Sequence, residues 1–278
     1  MPNWITCIVL TKNNPDELKT TLQSIAELEF KEKFSIMVIE SWKYENEFKK
    51  VLDFATTIFK GTDFSLAAHR VWPAPGIFSS MNQALKILES DYPEVSDLIF
   101  MNSGDRFAKE NSLMELWKYK ESIQIKTGKF FPAVFGRARI LASPSLSWFM
   151  PRIGVKNPAS WLKYFNPNHQ AVLFSAIWSY KNHYNTKNIY YADRKVMSDA
   201  LRGNEDFAFA DVLVSEFNLL GHSSKIPTWS ELRQKMCEPD RGLKSKFNEI
   251  LKFLIPRRLE KIYPFVMYYR SKILSIFC

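Results

Sequence analysis

The chain has 278 residues, of which 46% are hydrophobic and 15% aromatic. That is enough apolar material for one large core and excludes a disordered polypeptide. Cys7, Cys237 and Cys278 are too few and too scattered for a disulfide framework or a Cys/His zinc site, and suit a reducing compartment. The net charge is +9, but between Arg241 and Cys278 nine Lys/Arg face only Glu249 and Glu260, so seven of the nine surplus charges belong to that segment. The body is nearly neutral, which excludes the surface-wide basic footprint of a nucleic-acid binder.

Trp4 to Leu10 (WITCIVL) reads as a buried strand. Asn14-Pro15-Asp16-Glu17 reads as a helix start, with Asn14 as N-cap and Pro15 in the first turn, and Leu18, Leu22, Ile25 and Leu28 follow at helical spacing. Phe34 to Glu40 is a second strand, and Phe48, Val51, Leu52, Ala55 and Ile58 mark a second helix. Ser65 to Val71 is a third strand. Met81, Ala84, Leu85 and Leu88 mark a third helix, Asp97 to Met101 a fourth strand, and Leu113, Leu116 and Trp117 a fourth helix. This alternation predicts an α/β fold with a mostly parallel, open sheet and helices on both faces. Such sheets bind ligands beyond the carboxyl ends of their strands.

From about Lys129 the rhythm breaks into aromatics, prolines and short β-like runs, such as Phe130 to Phe135 and Gln170 to Phe174. The expected organisation is one domain over residues 1–225, with a nucleotide-binding half (1–128) and an irregular half (129–225), and a basic, amphipathic, helical extension over 226–278. That extension interleaves Phe253, Leu254, Ile262, Phe265 and Val266 with its charges, a pattern suited to an anionic membrane surface. Its other reading is a helical cap packed on the domain. No stretch reaches the roughly 18 apolar residues of a membrane span, and no basic-then-apolar leader opens the chain. The expected location is cytoplasmic, peripheral on the inner face of the membrane.

Three polar clusters follow strands: Thr11-Lys12-Asn13, Glu40, and Asn102-Ser103-Gly104-Asp105. No GxGxxG or GxxxxGK[ST] is present, which disfavours a dinucleotide enzyme or a P-loop NTPase. All three clusters also have plainer readings as turns or solvated strand ends.

The strand ITCIVLTKNN before a capped helix resembles the opening of family 2 glycosyltransferases of GT-A fold. Gly76-Ile77-Phe78-Ser79-Ser80-Met81-Asn82-Gln83-Ala84 resembles the G-I-Y-x-A-M-N-x-G/A segment of their polysaccharide-assembly branch, and Phe100-Met101-Asn102-Ser103-Gly104-Asp105 its F-L-N-S-G-D version of the DxD motif. Asn168-His169-Gln170 is similar to its N-H-Q segment, Ala192-Asp193 with Leu201-Arg202 to A-D-Y…L-R, and Phe217 to Ser224 to its closing F-x-x-G-G-x-S. The matches run in family order from residue 3 to 224. Two places depart: Pro73-Ala74-Pro75 replaces an acid before G-I-Y, and Glu40-Ser41-Trp42-Lys43 replaces a G-S-T-D-G-like turn, both on the nucleoside side.

The resemblance implies transfer of a sugar from a nucleotide diphosphate donor to a saccharide or lipid-linked acceptor, with inversion and a divalent cation, Mn2+ or Mg2+. Asp105 is then the metal ligand, because a carboxylate can hold a cation that neutralises the departing diphosphate. Asp193 is the candidate general base, with helix capping as its alternative and Glu205, Asp206 and Asp211 as competitors. Thr11, Asn13, Glu40, Asn82, Ser103, Gly104 and His169 are the candidate donor contacts. The depleted acids on the nucleoside side also admit a non-catalytic sugar-nucleotide or glycan-binding protein of the same fold.

Overall fold

The computed structural model describes residues 4–12, 14–30, 34–41, 45–62, 64–71, 76–143, 145–155, 168–187, 192–202, 208–219, 229–237, 250 and 263–274. In chain order the strands are β1 (Trp4–Thr11), β2 (Phe34–Glu40), β3 (Ser65–Arg70), β4 (Val95–Asn102), β5 (Arg106–Phe107), β6 (Ala133–Ser143), β7 (Leu146–Met150), β8 (Val172–Ser175) and β9 (Ala208–Asn218). The helices are α1 (Pro15–Ala26), α2 (Glu45–Ile58), α3 (Ile77–Asp91), α4 (Ser112–Thr127), α5 (Ala176–Lys181), α6 (Ala192–Arg202), α7 (Trp229–Met236) and α8 (Tyr263–Leu274).

One sheet runs β3-β2-β1-β4-β8-β6-β9-β5, with β7 paired to β6. It is parallel from β3 to β4 and again between β6 and β9, whereas β8 runs antiparallel to both β4 and β6. Strands from both halves of the chain therefore build one continuous sheet. The irregular half begins where β8 reverses direction against β4.

β1, β2 and β4 are buried on both faces, which is why their sequences are largely apolar runs, whereas β3 at the sheet edge is only half-buried. Ile5, Cys7 and Val9 of β1 point to one face, where Leu18, Leu22 and Ile25 of α1, Val51 of α2 and Leu113 and Leu116 of α4 cover them. Ile8 and Leu10 point to the other, beneath Phe78, Met81, Leu85 and Leu88 of α3 and Val196, Met197 and Leu201 of α6. Burial of the Cys7 thiol pushes its pKa well above the usual thiol range and leaves it inert. α1 starts as its sequence dictates: the Asn14 side chain accepts from the Glu17 N–H at 3.2 Å and Pro15 occupies the first turn.

Register aligns the carboxyl ends of β1, β2 and β4. Thr11 lies opposite Glu40, and Leu10 opposite Asn102. The three polar clusters thus share one edge. At the opposite end of β4, Asp97 and Lys120 of α4 form a buried ion pair that Ser96 also joins.

Candidate active site

Thr11 and Glu40 stand side by side on one face of the sheet, at the edge where the parallel strands end. Both are buried, and the Thr11 hydroxyl has no hydrogen-bond partner among the described residues. The Ser41 N–H donates to the Thr11 carbonyl at 3.1 Å and the Val71 N–H to the Glu40 carbonyl at 2.9 Å, so the strand ends are tied together. Ser41 in turn shares a 3.2 Å hydrogen bond with Ser80 of α3. Asn13, Trp42, Lys43 and the Pro73–Pro75 departure lie outside the described residues.

The Asn102–Asp105 turn is fixed mainly by backbone groups. Ser103 donates to the Leu10 carbonyl twice, from its N–H at 2.9 Å and its hydroxyl at 3.0 Å. Gly104 has φ +93°, a conformation that glycine alone adopts without strain, and any Cβ there would sit 3.4 Å from the Glu17 side chain. Its N–H is shared by the Glu17 carbonyl at 3.1 Å and the Thr21 hydroxyl at 3.0 Å. Thr21 then donates to the Asp105 carbonyl at 2.7 Å. Thr21 is thus the clamp of the turn; in the sequence it is an unremarked polar position of α1.

The Asp105 side chain is only 4% exposed among the buried polar groups. Its carboxylate accepts from the Asn218 N–H at the end of β9, at 3.2 Å, and from the Asn102 side chain. Burial pushes its pKa up to about 7, against these hydrogen bonds, and the nearby Glu17 charge adds to the rise. No Lys or Arg ion pair reaches it among the described residues. The Asn102 Oδ1 beside it is buried without a hydrogen-bond partner among the described residues.

A second cluster gathers around Tyr184, which nothing in the sequence singled out. Asn82 of α3 holds the Tyr184 backbone at both ends, donating to its carbonyl and accepting from its N–H, each at 2.8 Å. The Tyr184 ring stacks on Phe78 at 5.8 Å and stands edge-on to Phe100 of β4. Its hydroxyl shares a 2.8 Å hydrogen bond with His169 Nε2. His169 is enclosed by Phe100, Phe174 and Tyr184, and burial lowers its pKa to about 3, so the imidazole is neutral. The Asp193 charge reaches the Tyr184 hydroxyl and, after burial itself, raises its pKa.

Asp193 is the second residue of α6 and is half-buried. Its Oδ1 accepts from the Arg194 N–H at 2.8 Å, and burial raises its pKa against that bond and the Arg194 charge. Of the competing acids, Asp211 is engaged by Arg137, which holds its pKa below the usual value, while Glu205 and Asp206 lie outside the described residues. Four sequence motifs therefore meet in space: α3 supplies Phe78 and Asn82, β4 Phe100, the turn before β8 His169, and α6 Asp193. Thr11, Glu40 and the Ser103–Asp105 turn lie along the same edge of the sheet.

No protein-family model and no curated protein sequence matches the chain. Among solved structures, residues 1–349 of S. aureus TarS in complex with UDP-GlcNAc superpose with a TM-score of 0.61 at 12% identity, over 96% of this chain and 81% of that one. The fold is that of the GT-A glycosyltransferases. Another crystal structure of TarS 1–349 gives 0.59 at 14% identity over 90% of this chain and 70% of its own. The mannosyltransferase PcManGT from Pyrobaculum calidifontis, in complex with GDP-Man and Mn2+, gives 0.52 at 10% identity over 98% and 77%.

Proposed function

We propose that the protein is a glycosyltransferase that moves a sugar from a nucleoside diphosphate donor to a hydroxyl of a saccharide or lipid-linked acceptor. The observation that carries this reading is Asp105: a desolvated carboxylate at the carboxyl end of β4, on a GT-A sheet, with no cationic partner among the described residues. Similar structures with bound UDP-GlcNAc and with GDP-Man and Mn2+ support the donor class.

A divalent cation fits the oxygen donors present. Asp105 offers a carboxylate and Asn102 an amide oxygen without a partner among the described residues, both hard ligands. Among the described residues no three His, Cys, Asp or Glu side chains cluster into a closed metal cage. One carboxylate with donor phosphates and water completing the sphere is the usual arrangement for Mg2+ and its relatives. When bound, such an ion supplies charge stabilisation for the leaving diphosphate.

The chain's own residues do the rest. Thr11 and Glu40 present a hydroxyl and a carboxylate to the nucleoside. Asp193 takes the acceptor proton as the acceptor oxygen attacks the anomeric carbon; the bond from that carbon to the diphosphate oxygen breaks and its electron pair leaves with the diphosphate. Displacement from the opposite face inverts the anomeric centre. A raised pKa makes Asp193 a stronger base near neutrality. Asn82, His169 and Tyr184 hold the wall beside it.

The test is nucleoside diphosphate release from a panel of UDP- and GDP-sugars with Mn2+ or Mg2+, with and without saccharide acceptors. Metal-dependent release that disappears in Asp105→Asn is expected. Tight donor binding with no release under any condition would instead identify a sugar-nucleotide-binding protein of this fold.

A further inference from the structure

Helix α8 carries apolar side chains on both faces, and among the described residues one face is covered and the other exposed. Tyr268 turns inward, its ring edge-on to Trp148 of β7 at 6.0 Å, and the Arg152 guanidinium lies 4.7 Å over the same ring. Arg152 also donates to the Tyr268 carbonyl at 3.1 Å and to the Ser271 hydroxyl at 3.2 Å, and Met267 packs beside Tyr268 at the margin of the core. On the other side Phe265, Val266 and Tyr269 remain 51%, 49% and 57% exposed. Phe265, Tyr269 and Lys272 recur at i, i+4 and i+7, so they form one stripe that ends in an exposed ammonium. Ile153, next to the arginine that clasps the helix, is also exposed. Single exposed apolar side chains need no partner, but two aromatics and a valine grouped on one helical face do.

Charge selects the partner. The sequence from Arg241 to Cys278 holds nine Lys/Arg against two Glu, and α8 lies within it. We propose that the exposed face of α8 docks on an anionic lipid surface, with Phe265, Val266 and Tyr269 entering the headgroup region and the basic residues supplying the attraction. Among the described residues no helix is long and apolar enough to cross a membrane, and α8, at 12 residues, lies in the plane of the surface. A second copy meeting this face about a two-fold axis would bring two basic segments together, which their repulsion opposes.

Lipid docking is independent of sugar transfer, so sedimentation of the full chain with vesicles tests it alone. The protein is expected to sediment with phosphatidylglycerol-containing vesicles and not with phosphatidylcholine ones, and to be released as salt shortens the reach of the charges. Phe265→Ser with Val266→Ser is expected to weaken binding at least about tenfold with an unchanged melting temperature, because both side chains are exposed, whereas the Tyr269 ring stands edge-on to Tyr268 at 5.3 Å and is left in place; Phe265→Leu with Val266→Leu restores it. Lys272→Gln is expected to weaken it about fivefold, one headgroup-proximal charge. Tyr268→Ser, beneath the helix, lowers the melting temperature instead and so distinguishes lost packing from lost docking. Equal sedimentation with neutral and anionic vesicles, or a double variant that sediments like the wild type, overturns the proposal. So does a lipid-free dimer that the double variant dissolves, which would make this face an interface between copies.

Discussion

Two buried aspartates, one at each end of β4, have opposite surroundings. Asp97, near the start of the strand, faces the ammonium of Lys120 and the Ser96 hydroxyl, and burial raises its pKa against both. Asp105, just past the other end, is met among the described residues by the Asn218 N–H and by the side chain and backbone of Asn102, with the Glu17 carboxylate nearby. The first carboxylate is closed by the protein's own cation. The second is desolvated to a similar degree and has no such cation among the described residues. The difference follows the geometry of a parallel sheet, whose ligands bind beyond the carboxyl ends of the strands. A buried charge at the amino end must be matched from within, whereas one at the carboxyl end can be matched by what binds.

That contrast breaks most visibly at Asp105. Asp105→Asn is expected to cut sugar transfer about 10^3-fold or more, several kcal/mol of transition-state stabilisation, while the melting temperature holds or rises. Steady-state turnover alongside thermal denaturation checks it, and a variant that unfolds would give Asp105 a structural role like that of Asp97. Asp193→Asn is expected to lower kcat by about 10^2- to 10^4-fold with donor affinity little changed, as for a group that acts in the transition state. An early melt with normal specific activity would make Asp193 only a helix cap. At the other end, Lys120→Met leaves Asp97 buried without its cation and is expected to cost about 3–5 kcal/mol of stability with normal turnover per folded molecule. Denaturant unfolding measures this, and adding Asp97→Asn should return most of the loss.

The smallest effects sharpen the same picture. Tyr184→Phe removes one hydroxyl from His169 and is expected to cost about 1 kcal/mol in unfolding experiments. The pH dependence has a definite sign. The folded pKa of Asp105, about 7, lies above its ordinary value of 3.8, so the native state holds this proton more tightly than the unfolded chain. Its contribution is full below about pH 4 and is lost as pH rises through 7. Melting temperatures across that range should show this decline in the wild type, and a flatter profile in Asp105→Asn.

The first half of the fold was readable because each signal there is local. Apolar runs mark the central parallel strands β1, β2 and β4, and Asn14 with Pro15 marks the start of α1. β6 was hidden over most of its 11 residues by Gly136, Arg137 and Arg139. Arg137 is buried only because Asp211 and the carbonyls of Pro151 and Arg152 receive it, partners that the sequence does not place. Gly136 lets β9 approach: a Cβ there would collide with Val214 and crowd the Val212 carbonyl at 3.1 Å, and the β6–β9 register shifts at the same point. In the candidate site, Asp105 and Asp193 stood out as acids after a strand and at a helix start. Thr21 and Tyr184 did not, because what distinguishes them is contact between distant segments. The sequence motif at Asn82 suggested a donor contact, and the structure shows its amide bound to the Tyr184 backbone.

Calorimetric titration of UDP-GlcNAc and GDP-Man into the wild type and Asp105→Asn, with and without Mn2+, tests the contrast between the two aspartates most directly. In the wild type, Mn2+ should tighten binding of at least one of these donors, and more so as pH rises through 7, since the metal displaces the Asp105 proton. In Asp105→Asn that metal dependence should vanish while the fold persists. Mn2+-dependent binding of equal strength in both proteins would contradict the assignment of Asp105 as the carboxylate that a bound cation completes.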